Sequence, residues 1–74
     1  MARSKLNETL GWLSDWGAGE RTLDALRDAY NGSEALGAVI ENLDTTDTTV
    51  EALDEAIRAI SGVAPDLRDR DWTQ

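Results

Sequence analysis

Asp44, Asp47 and Glu51 come nearest to a chemical centre, because carboxylates spaced this closely can offer a hard cation several oxygen ligands. The pattern is nevertheless a poor cation loop. A calcium-binding loop sets ligands at alternate positions around a central glycine, whereas Thr45, Thr46, Thr48 and Thr49 surround the acids here. Asp and Thr side chains prefer to bond their own backbone, so 44–48 reads as the longest internal loop, with Asp47 or Thr48 capping the helix that follows. Thr48 and Glu51 also have the spacing of a capping box. No metal or cofactor is expected.

Nucleophilic chemistry fares no better. The chain has neither histidine nor cysteine, so a serine or threonine would need Lys5 or a carboxylate as its base, and no spacing brings such a pair together. The same two absences remove disulfides, zinc sites and haem ligation. Gly17-Ala18-Gly19 lacks the lysine-serine pair and the preceding strand of a phosphate loop. It reads as a helix break, and the chain as a non-enzyme.

The acids as a whole are best explained by solvation. Glu41, Asp44, Asp47, Glu51, Asp54 and Glu55 fall mostly opposite the apolar stripes, and the formal net charge is -8. Such a surface repels phosphate backbones and anionic lipids, so neither direct nucleic-acid binding nor membrane attachment is expected. With Lys5 the only lysine and aspartate more frequent than glutamate, the composition resembles that of proteins from high-salt or GC-rich sources. No apolar run approaches the roughly 18 residues of a membrane span. Met1-Ala2-Arg3-Ser4-Lys5 leads into a polar-interrupted stretch rather than a signal-peptide core, so the expected location is cytoplasmic or inside a particle.

The elements that would carry these residues are all helical. Leu6, Leu10 and Leu13 predict a first helix over about 5–16, capped by Ser4 and ended by Gly17-Ala18-Gly19. Leu23, Leu26 and Tyr30 predict a second over 22–31, opened by Thr22 and stopped by Asn31-Gly32. Ser33 caps a third over 34–43, with Leu36, Val39, Ile40 and Leu43 inward. Val50, Leu53, Ile57 and Ile60 predict a fourth over 49–61, halted by Ser61-Gly62 and Pro65. The expected fold is one all-α domain over 1–74, an up-and-down or orthogonal four-helix bundle. Its tail, 62–74, would add at most one turn after Pro65 and dock through Trp72.

Three local patterns invite a functional reading. Thr22-Leu23-Asp24-Ala25-Leu26 and Thr49-Val50-Glu51-Ala52-Leu53 share a template that a duplicated hairpin would leave, although helix grammar alone also generates it. Helices two and three around Asn31-Gly32-Ser33 have helix-turn-helix lengths, but Ser33-Glu34-Ala35-Leu36-Gly37 offers no base or phosphate a cation. Length and acidity are similar to those of acyl carrier proteins. Gly32-Ser33-Glu34, however, is not the Asp-Ser-Leu attachment site, and no prosthetic group is implied.

Three tryptophans in a chain without phenylalanine are the most informative oddity, since tryptophan serves both small cores and interface centres. Trp16 lies in the helix-one stripe and is expected in the core. Trp12 lies about 100° from Leu13 around the wheel, at the stripe's edge, open to core or interface. Trp72 must dock on its own bundle, with Leu67 as companion, or on another chain. A core of aliphatics padded with alanine is thin for this length, and small domains commonly add a partner or self-associate. The expectation is therefore a non-enzymatic interaction or assembly protein, such as a virion subunit or an adaptor. Trp12, Trp16, Trp72 and Leu67 are its candidate contacts. The alternative is an acidic inhibitor that imitates nucleic acid in the style of phage counter-defence proteins, using Glu41 to Glu55.

Overall fold

The computed structural model describes residues 2–73, with side chains from residue 5 onward. All regular structure there is helical: α1 (Ala2–Trp16), α2 (Glu20–Gly32), α3 (Glu34–Glu41), α4 (Val50–Val63) and a short 3₁₀ turn, Pro65–Leu67. No described helix is long and apolar enough to cross a membrane. α3, the shortest of the four helices, packs against each of the other three. Its Leu36 and Ile40 are one turn apart and wholly buried, joined by Leu13, Leu26 and Ile60 from the surrounding helices.

Local rules account for the boundaries. Gly17 takes φ 101, the left-handed conformation that costs glycine least, so its amide reaches the Ser14 carbonyl (2.9 Å) and the Ala18 amide that of Leu13 (3.1 Å). This paired bonding closes α1 as a Schellman cap. α1 begins at Ala2, which puts Ser4 inside the first turn rather than at the cap expected of it. α2 begins at Glu20, two residues before the expected Thr22, because an acid in the first turn suits the helix dipole. Thr22 is turned into the core instead. Ser33 caps α3 as its spacing implies, its Oγ accepting the Leu36 amide at 3.1 Å. α3 stops at Glu41, short of Leu43, because the Asn42 and Leu43 amides tighten onto the carbonyls of Val39 and Ile40.

α4 differs most from expectation. Its cap is Thr49, whose hydroxyl accepts the Ala52 amide at 3.2 Å, in place of Asp47, Thr48 or a box with Glu51. Its buried face runs through Leu53, Ala56 and Ile60. Val50, expected inside, is 61% exposed, and Ile57 is only partly buried. Ala56, 1% exposed, takes the inward place between Leu53 and Ile60 that the apolar spacing gave to Ile57. Ser61-Gly62 does not end it: α4 runs to Val63, and the chain leaves only ahead of Pro65.

The tail folds back. The Trp72 indole is 5% exposed, beside buried Leu67, and its Nε1 donates to the Leu67 carbonyl at 2.9 Å. The Asp71 carbonyl accepts the Gly19 amide at 3.0 Å, tying the tail to the α1–α2 turn. Truncating a buried tryptophan costs about 3–5 kcal/mol, a large share of the roughly 4–11 kcal/mol a chain of this length holds. Trp72→Ala is therefore expected to lower the urea midpoint sharply, or to unfold the protein at 37 °C. Trp72→Phe, which loses the hydrogen bond and part of the buried ring, should cost less than Trp72→Ala, about 1–3 kcal/mol. Exposed Val50→Ala should stay within about 0.5 kcal/mol of the parent.

Candidate groove between α3 and α4

A hollow lies between α3 and α4, with Trp12 of α1 in its lining. Trp12 stands at the edge of the Leu6–Leu10–Leu13 line of α1, in the same core cluster, and is 7% exposed where the α3–α4 loop meets it. A buried indole N–H needs an acceptor. It finds the Asp47 carbonyl at 2.9 Å, thirty-five residues away in the chain. Trp12 and buried Ala56 floor an open groove of about 900 Å³. Val39 and Leu43 of the α3 side and Ala52 and Ala59 of α4, all half-buried, form its walls.

The loop that sets the groove's end is a tandem device. Asp44-Thr45-Thr46 and Asp47-Thr48-Thr49 repeat one tripeptide, and each aspartate holds the threonine two residues on. Asp44 Oδ1 accepts the Thr46 amide (3.0 Å) and hydroxyl (2.6 Å). Asp47 Oδ1 accepts those of Thr49 (2.9 and 2.7 Å). Thr49 then relays the contact by accepting the Ala52 amide, so Asp47 braces the α4 cap from behind. The repeat is visible in the sequence, and its register would have pointed to Thr49. The Thr46 hydroxyl and amide, with a smaller contribution from Lys5, hold the Asp44 carboxyl below its ordinary pKa.

The six acids proposed as a surface do not converge. Asp44, Asp47 and Glu55 line the groove, whereas Glu41, Glu51 and Asp54 are exposed elsewhere. Among the described residues, no three acidic side chains stand close enough to share a metal ion. Of the four residues expected to meet a partner, Trp12, Leu67 and Trp72 are buried in this chain's own core, and Trp16 is half-buried. The ordering of Trp12 and Trp16 is the reverse of that implied by the helical wheel. Trp16 sits at the end of α1, where the chain turns away, while Trp12 is covered by a loop that joins two later helices.

No family model, curated protein or solved structure matches the chain.

Two measurements test the loop. Asp47→Ala removes the brace behind the α4 cap and should cost about 0.5–2 kcal/mol in chemical denaturation, although Asp47 lies outside the helix. Asp44 has a lowered pKa in the folded chain, so its contribution is present above the unfolded value and disappears as pH falls through the folded one. A carboxyl-carbon NMR titration should place its midpoint below the ordinary aspartate value of about 3.9, and Thr46→Val should move it back up.

Proposed function

We propose that the chain is a non-enzymatic protein-interaction domain, of the adaptor or small-subunit kind, that receives its partner in the α3–α4 groove. The groove itself is the observation that carries this reading. It has an apolar floor and half-buried aliphatic walls left open on a domain whose Trp12 and Trp72 are already buried, and concave apolar surfaces of this size commonly serve recognition. Incorporation into a larger particle fits the same surface.

A second reading, the acidic inhibitor that imitates nucleic acid, draws support from the exposure of Glu41, Asp44, Glu51, Asp54 and Glu55. The two readings place affinity differently. An imitator of phosphates binds through charge and has no use for the alanine-lined wall, whereas a groove binder needs both floor and wall.

Selection from displayed libraries of peptides and small folded domains is the test. Binders to the folded chain are expected to be lost on Ala59→Gln, which fills the groove, and retained on Arg27→Gln, which lies on α2 outside it. Binders indifferent to Ala59→Gln but weakened by Glu51→Gln with Asp54→Asn, and displaced by DNA, would favour the imitator. Because Asp47 also supports the α4 cap, its substitution would confuse folding with binding.

A further inference from the structure

The groove's lining narrows what can occupy it, if the interaction reading above holds. Three acidic residues, Asp44, Asp47 and Glu55, line it against a single basic one, Arg58. Asp44 and Asp47 belong to the loop that leads into α4, and Arg58 to the second half of that helix. The chain as a whole adds a formal charge of -8. A second copy would bring the same excess of negative charge to the contact. A cationic partner would be drawn to it, and its basic residues would settle beside Asp44 and Asp47.

The lining also bears on the partner's backbone. An extended segment needs donors and acceptors from its host, because its own amides and carbonyls are unpaired. This groove offers charged side chains but no open row of main-chain groups along its helical walls. The Trp12 Nε1 is committed to the Asp47 carbonyl, the Asn42 amide nitrogen donates to the Ala38 carbonyl at 2.8 Å, and the walls are helices that bond internally. A helix arrives with its backbone already satisfied. From Ala52 to Ala59 the α4 wall is about 10 Å long, two turns of a helix laid alongside, and its alanines permit close approach.

We infer that the groove takes a cationic amphipathic helix from another protein, with its apolar face against Trp12, Val39 and Leu43 and its lysines or arginines toward Asp44, Asp47 and Glu55.

The probes are a synthetic amphipathic helix with leucine on one face and lysine on the other, its glutamate and glutamine counterparts, and a scrambled lysine peptide of the same composition. Each is titrated into the full chain by calorimetry, with amide shifts followed by NMR. The lysine helix should bind, shift the amides of Ala38, Val39, Ala52 and Ala59, and weaken as salt rises. Ala38→Gln, an exposed position on the groove wall, should reduce its affinity on the order of tenfold. Glu55→Gln should reduce it about two- to five-fold.

Equal binding by the scrambled peptide, insensitive to Ala38→Gln, would overturn the inference by reducing the effect to bulk charge. Equal groove binding by the glutamate or glutamine helix would overturn the cationic assignment while leaving the interaction reading intact. Failure of all four peptides overturns the inference, and the display selection then decides separately whether the groove binds protein at all. Sedimentation of the chain alone above 8.1 kDa, reversed by Ala38→Gln, would make a second copy the occupant and overturn it as well.

Discussion

The hydrogen bond from the Trp12 indole to the Asp47 carbonyl is the constraint around which the α3–α4 half of the molecule is arranged. A tryptophan at the edge of its helix's apolar face can be buried only if something covers the ring and something accepts its single N–H. The α3–α4 loop does both. Fixing the Asp47 carbonyl also fixes the residue whose carboxylate braces Thr49, and Thr49 starts α4. One contact between distant parts of the chain thus links the floor of the groove, the shape of its end and the first turn of its wall.

A second contact of the same kind operates at the opposite end of the sequence. Trp72 and Leu67 fill the core from the tail, and the Asp71 carbonyl joins that tail to the glycine-rich α1–α2 turn. A chain this short buries only about 60% of its unfolded surface, so each large ring carries a disproportionate share of stability. Spending Trp12 and Trp72 internally leaves α3 and α4 to present a surface of smaller aliphatic side chains with carboxylates beside it. What that surface offers is therefore mainly shape and charge, with the edge of Trp12 in its lining. The charge also acts at longer range than the shape: an acidic domain attracts basic partners and repels copies of itself over the Debye length, about 8 Å at physiological salt.

Much of the architecture was legible in the residues themselves. The helical class, the number of helices, the glycine stop after α1 and the Ser33 cap all follow from interactions within a few positions of the chain, where spacing is distance. The caps that were misplaced have local reasons too. The Asp-Thr-Thr repeat offers several adjacent residues able to cap α4, and only its register, each aspartate holding the threonine two places on, selects Thr49.

What the sequence could not decide is which side of each amphipathic helix faces inward, within a turn of about one residue, and that is where the groove arises. Apolar spacing predicted a stripe on α4 through Val50, Leu53, Ile57 and Ile60, but the buried face runs through Leu53, Ala56 and Ile60, and Val50 faces solvent. Helical spacing also favoured Trp16 over Trp12 for burial, and a loop more than thirty residues away reversed the order. Local propensity and periodicity therefore determined the elements, because they depend on neighbours in the chain. Burial, the groove and the gathering of Asp44, Asp47 and Glu55 around it were decided by tertiary packing, because they depend on neighbours in space.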